Sequence, residues 1–214
     1  MRVYKIFTGA DGDVEYSPTG HLAIDLGFKD LGVCYLDSPY EPVYSASERL
    51  IVKTYHDDEF NVRMPIPDYI VSATKVLAKI LIDFPRVDSV SMELFPVQGR
   101  FSSGLAVMSG IFFGFLSKLV PTIYFVQPNL GNFYLAKKTK TKTEVKNFVT
   151  GLFPDLKIKT PHESDSVLHN LLLFGSSFIT VSDYLRDTSS VEYFKYNLSS
   201  VLSDVNVMQT ILGE

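Results

Sequence analysis

The sequence predicts an α/β fold in which a mixed five-stranded sheet is flanked by helices. Three apolar runs between residues 21 and 55 are separated by tight turns, which is the pattern of an antiparallel meander. Two further short apolar runs follow, at 87–92 and 122–126. Stretches with helical character alternate with them, and that alternation builds a sheet covered by helices.

The elements follow in order. Val3, Lys5 and Phe7 alternate with Tyr4 and Ile6 before Gly9-Ala10-Asp11-Gly12-Asp13, a possible strand and turn. Residues 1–20 are therefore expected to be an N-terminal extension, a strand or hairpin. Residues 21–27 form an apolar strand that ends in a tight turn. Residues 32–36 and 49–55 are the second and third strands. In 67–84, Ile70, Val71, Thr74, Leu77, Ala78 and Leu81 fall at helical spacing, with Pro67 suited to the first turn. The strand 87–92 leads into Glu93. Residues 102–119 are an apolar helix, 122–126 a strand, and 142–153 and 161–179 two more helices. The main domain is expected to span 21–180. Residues 181–214 are expected to be a helical tail packed on it.

Composition narrows the class. Hydrophobic residues make up 46% and charged residues 21%, so the chain can bury a core and is not a disordered one. The single cysteine, Cys34, excludes a disulfide framework within the chain. The N-terminus is too short and polar for a signal peptide. The apolar stretch 104–120 carries Ser109, Ser117 and Lys118, and is shorter than the roughly 20 residues a membrane span needs. It is expected to be a buried or interface helix. These features predict a soluble intracellular protein of the cytoplasm, an organelle or a viral replication compartment. The net charge of −4 argues against indiscriminate nucleic-acid binding, so any DNA contact needs a local basic patch.

Acids stand where core packing does not want them. Asp25 ends the apolar run Leu22-Ala23-Ile24, and Glu93 ends Val90-Ser91-Met92. A buried carboxylate is costly without a partner or a metal. Each alone is equally an ordinary strand-end acid. His162 and Asp165 are three residues apart at a helix start, on one face. Asp165 also suits the bland role of a first-turn acid. His169 follows on the same face, as a core histidine or as support for a ligand. Together the acids suit phosphodiester hydrolysis, in which two metal ions about 3.5–4 Å apart activate water and neutralise the phosphate. Carboxylates suit magnesium, and an imidazole is also acceptable to manganese.

With those residues in view, the chain resembles the RuvC-type Holliday junction resolvases of the RNase H-like superfamily. The order of elements is that of the RNase H-like fold. The family's first motif, a strand ending Ile-Asp-x-Gly with a further glycine, is matched by Ile24-Asp25-Leu26-Gly27 and Gly32. Its strand-end glutamate is matched by Val90-Ser91-Met92-Glu93. Its helix-opening Asp-or-His, x, x, Asp is matched by His162-Glu163-Ser164-Asp165. The resemblance, over roughly 22–179, implies that Asp25, Glu93, His162 and Asp165 are catalytic and hold two Mg2+ ions, with Mn2+ as a substitute. It implies a homodimer that makes paired nicks in branched, four-way DNA. Phe95, Gln98, Arg100 and Phe101 match the loop that follows the glutamate. Lys137, Lys138, Lys140, Lys142 and Lys146 match a basic stretch that contacts DNA. Without the resemblance, the lysines also read as a solvated loop, and Phe95 and Phe101 as core. The family's first aspartate lies nearer the N-terminus, and the tail has no counterpart there. Both additions suit a viral or phage branch.

Gly104, Gly110 and Gly114 would let a partner helix approach the helix 102–119 across a two-fold axis. Three rival functions remain at this stage. One is an RNase H-like nuclease for RNA–DNA hybrids or flaps. Another is a silent DNA-binding module with structural acids. The actin-like ATP-binding branch also begins with Asp-x-Gly, but needs a second Gly-rich loop, which the sequence lacks.

Overall fold

Alternation along one strand decides the layering. In the computed structural model, which describes residues 3–7, 20–27, 29–37, 49–56, 65–93, 102–126, 135 and 141–174, strand β2 (Gly20–Leu26) is buried along its whole length. A strand buried on both faces needs a covering layer on each. Leu22, Ile24 and Leu26 enter one core with helices α1 (Ile66–Asp83) and α2 (Ser102–Leu116). Ala23 enters the other, with α3 (Lys142–Leu152) and α4 (Pro161–Phe174). The result is a three-layer α/β/α arrangement. Each fully buried large aliphatic side chain in it, such as Leu22 or Ile80, contributes about 1.5–3 kcal/mol.

Strands β3 (Asp30–Asp37) and β4 (Leu50–His56) complete the expected antiparallel meander with β2. Strand β5 (Ser89–Glu93) runs parallel to β2, and β6 (Thr122–Val126) parallel to β5. These five strands are the mixed sheet that the sequence predicts. A sixth, β1 (Val3–Phe7), pairs antiparallel with β6, giving the order β1-β6-β5-β2-β3-β4. The first part of the N-terminal extension thus extends the sheet at its edge. The expected tail, 181–214, lies outside the described residues.

The helices begin and end for identifiable reasons. Pro67 lies in the first turn of α1, where its missing N–H costs nothing. Thr141 caps α3 through a reciprocal box with Glu144. Helix α2 buries Met108, Phe112 and Leu116 and exposes Val107 and Phe115. Space beside Gly110 and Gly114 is open, with no heavy atom within 4 Å of a Cβ built at either. Among the described residues no helix is long and apolar enough to cross a membrane.

Candidate active site

The two strand-end acids come together by register. Parallel partners run from His21↔Ser89 to Ile24↔Met92, so the next step brings Asp25 level with Glu93. Side chains alternate along a strand, so both acids share the face of His21, Ala23, Ser89 and Ser91. Helix α4 lies against that face. Asp25 is 4% exposed, and a carboxylate so buried requires a partner. Its partner is His162, whose Nδ1 donates to Asp25 Oδ2 at 2.5 Å. That bond to Asp25 holds the imidazole pKa above its ordinary value, against burial and the nearby Lys142 ammonium, which both lower it.

Two glycines make this contact sterically possible. Gly32 pairs with Asp25 across the β2–β3 hairpin. A Cβ on Gly32 would lie 1.9 Å from the backbone carbonyl carbon and oxygen of His162. The first turn of α4 therefore rests directly on the strand. Gly27 closes the hairpin by donating its N–H to the Asp30 carbonyl at 2.9 Å. A Cβ there would come within 2.6 Å of His162 Nε2. Gly27 makes the tight turn that the sequence predicts, and it also leaves room for His162.

Glu163, between the expected ligands, has a different role. It is buried and accepts the backbone N–H groups of Lys159 at 2.5 Å and Thr160 at 3.0 Å. Thr160 Oγ1 in turn accepts the Glu163 N–H at 3.3 Å, which completes a capping box. The Thr160 hydroxyl also bonds that of Thr54 on β4 at 3.0 Å, tying the helix start to the sheet. The signal for this anchor is the capping signature Thr160-Pro161-His162-Glu163, which the metal-ligand pattern overlies.

The other expected residues divide by position. Asp165 lies one helical turn beyond His162, and its charge favours the protonated imidazole. Glu93 is partly exposed at the end of β5. Lys142 is the first residue of α3, and Lys146 Nζ lies 3.4 Å from the Lys159 carbonyl oxygen. Lys137, Lys138, Lys140, Phe95, Gln98, Arg100 and Phe101 lie outside the described residues. Among the described residues, no three His, Cys, Asp or Glu side chains converge closely enough to share an ion. The structure thus joins Asp25 to His162 and sets Glu93 on the same face, without assembling a finished ligand set. The side chains of Asp25, Glu93, Asp165 and His162 are nonetheless of the donor types that magnesium or manganese takes.

Beneath the acids the sheet is polar. His21 bonds Ser89 Oγ at 2.8 Å through Nδ1 and Ser91 Oγ at 3.0 Å through Nε2. Burial lowers the His169 pKa to about 4 and that of His21 well below its ordinary value. Both rings are neutral in the folded chain, and the unfolded chain protonates them near pH 6.5. Below that pH the unfolded state binds the additional protons, so stability present above about pH 6.5 is lost as pH falls. His169 contributes a loss of about 3 kcal/mol by pH 4. His162, whose pKa is raised, adds stability as pH falls toward 6.5, so thermal midpoints should drop between about pH 6.5 and pH 5, and a flat profile there would refute this assignment.

Three solved structures are similar to the chain to different degrees. The chain is similar to RuvC of T. thermophilus in complex with a Holliday junction substrate, with a TM-score of 0.52 and 19% identity over 74% of this chain and 95% of that one. Thermus thermophilus RuvC alone gives a TM-score of 0.48 at 19% identity, over 78% of this chain and 95% of that one. The yeast mitochondrial Holliday junction resolvase Ydc2 gives 0.45 at 13% identity, over 86% and 87%. No family model and no curated protein matches the sequence. At such identity the first likeness is one of fold, and the fold is RuvC-like.

Proposed function

We propose that this chain is a divalent-metal-dependent endonuclease that resolves four-way branched DNA by paired, symmetric nicks. The observation that carries the reading is the Asp25–His162 pair at the sheet end it shares with Glu93. The RuvC-like fold supports it, because that neighbour is in complex with a Holliday junction substrate. Asp25, Glu93, His162 and Asp165 would hold two Mg2+ ions, with Mn2+ as a substitute. Bound there, the ions would activate a water and neutralise charge on the phosphate.

The chain's own residues do the remainder. Asp25 orients His162 through the Nδ1 bond, and the glycines at 27 and 32 fix how deeply α4 sits. Lys142 lies close enough to lower the proton affinity of His162, which supports a role for its ammonium in meeting a phosphate there. Lys146, Lys137, Lys138 and Lys140 would extend that contact along the DNA strand, and Arg100 would join it. Phe95 or Phe101 would stack on an unpaired base. Paired nicks need two sites. The exposed apolar face of α2, with Val107, Phe115 and open space at Gly110 and Gly114, is the surface on which we place a homodimer.

Cleavage of a labelled, immobile four-way junction with and without Mg2+, beside duplex, flap and RNA–DNA hybrid controls, tests this. The expected result is metal-dependent, symmetry-related cuts in the junction alone. Cleavage confined to hybrid or flap would replace the substrate and keep the chemistry. No cleavage of any substrate in Mg2+ or Mn2+ would sink the enzyme reading.

A further inference from the structure

The sheet end that carries the acids continues past them on the β3–β4 side. Asp25 pairs with Gly32 and Gly32 with Thr54, so one row of residues runs from β2 to β4. Two residues further out along these strands, Asp30 pairs with His56. Residues two apart on a strand share a face, so this pair lies on the face of Asp25, the one that α4 covers. The row is tied to the site at two points. Thr54 bonds Thr160 at the start of α4 at 3.0 Å. Gly27, which donates to the Asp30 carbonyl, leaves the room in which His162 Nε2 sits.

His56 Nδ1 donates to Asp30 Oδ1. The two side chains are 50% and 39% exposed, so the pair stands open to solvent beside the buried Asp25. Lys29, exposed in the turn between Gly27 and Asp30, adds an ammonium. An exposed ion pair contributes little to stability, so folding alone does not account for these residues. A chain of net charge −4 that turns acids toward a phosphate backbone needs cations beside them. Lys142 offers one from α3, and Lys29 and His56 stand on the β4 side. An imidazole that gives its Nδ1 proton to a carboxylate donates through Nε2 as imidazolium, the form that a neighbouring phosphate favours.

We propose that Asp30, His56 and Lys29 form a phosphate-binding flank of the site: Asp30 positions the His56 ring, and the imidazolium and the Lys29 ammonium hold a backbone phosphate of the DNA strand whose scissile phosphate lies at Asp25. Two strand spacings, about 10 Å, separate β2 from β4, a reach of a few nucleotides along one DNA strand. Contacts of this kind set register and carry no sequence information. The inference rests on the nuclease reading of the site.

Binding of a labelled four-way junction to the full chain, by gel shift in chelator at about pH 6.5 across a salt series, tests it. His56→Ala is expected to bind about three- to tenfold more weakly, by a similar factor on junctions of different sequence. Lys29→Gln is expected to reduce the slope of log affinity against log salt by about 0.9. Asp30→Ala gives an opposed sign. Removing an acid that merely repels DNA tightens binding, whereas removing the group that positions His56 weakens it. Asp30→Asn, whose amide oxygen still accepts from Nδ1, is expected to bind at least as well as the wild type. All four residues' variants should melt within a few degrees of the wild type, because the pair is exposed. Unchanged affinity in His56→Ala, or tighter binding in Asp30→Ala, would overturn the flank and leave the nuclease reading, which metal-dependent cleavage by the wild type tests separately. A wild-type chain that neither binds nor cleaves the junction would overturn both.

Discussion

Asp25→Asn is expected to reduce junction cleavage by about a thousandfold or more while junction binding stays at the wild-type level or tightens. The exchange keeps the size and shape of the side chain, and the amide oxygen can still accept from His162 Nδ1. What it removes is the negative charge at the buried end of β2, where the carboxylate is 4% exposed and bonded to His162. On the proposed function, a divalent ion would lose its most enclosed ligand. Contact between the protein and the DNA backbone loses nothing, because a carboxylate repels phosphate and its neutralisation favours the complex. Binding should be measured by gel shift in chelator and cleavage in Mg2+, on the same junction. The imidazole should also respond, since the bond to Asp25 is what holds its proton affinity up. In the variant His162 should titrate at lower pH than in the wild type. Full cleavage by the variant would remove Asp25 from the chemistry.

The parts of this site that the sequence displays are those governed by short-range pattern. Strand-end acids are visible because an acid interrupts an apolar run, as at Ile24-Asp25 and Met92-Glu93. The meander and the alternation of helices are visible because period two and period 3.6 differ. Contacts between distant segments are not visible in this way. That His162 would meet Asp25 rather than stand beside it depends on how closely α4 approaches the sheet, which no local pattern encodes. The joining of β1 to β6 likewise brings together segments more than a hundred residues apart. Glu163 was legible as a capping residue but was overshadowed by the motif in which it lies. The strip of His21, Ser89 and Ser91 became readable only once the β2–β5 register was known, because a serine in a strand is as often exposed as buried.

Gly32→Ala is expected to destabilise the chain by about 3 kcal/mol or more, and to separate His162 from Asp25. The added Cβ would lie 1.9 Å from the backbone carbonyl carbon and oxygen of His162 and 2.5 Å from the Glu163 nitrogen. All three obstacles are backbone, so no side-chain rotation relieves them, and α4 itself must lift. Thr160 opposes that movement, because its hydroxyl bonds that of Thr54 on β4, and Glu163 braces Thr160 by accepting its backbone N–H. Gly27→Ala differs, since one of its obstacles is the His162 ring, which can turn, although the Asp30 carbonyl oxygen at 2.4 Å cannot. In the Gly32 variant the thermal midpoint should fall by roughly 6–12 °C. The far-downfield proton resonance expected for a short His162–Asp25 hydrogen bond should vanish. Gly110→Ala is the control for strain within one chain. Nothing lies within 4 Å of its added Cβ, and alanine in a helix gains about 0.5–1 kcal/mol over glycine. A Gly32→Ala chain as stable as wild type, with the downfield proton retained, would mean that α4 does not rest on the strand. The glycine five residues beyond Gly27 would then have no part in placing the imidazole. If the variant instead loses both stability and the proton, Gly32 serves the site by what it lacks: the room left by one missing methyl group lets a helix lower its histidine onto a buried acid.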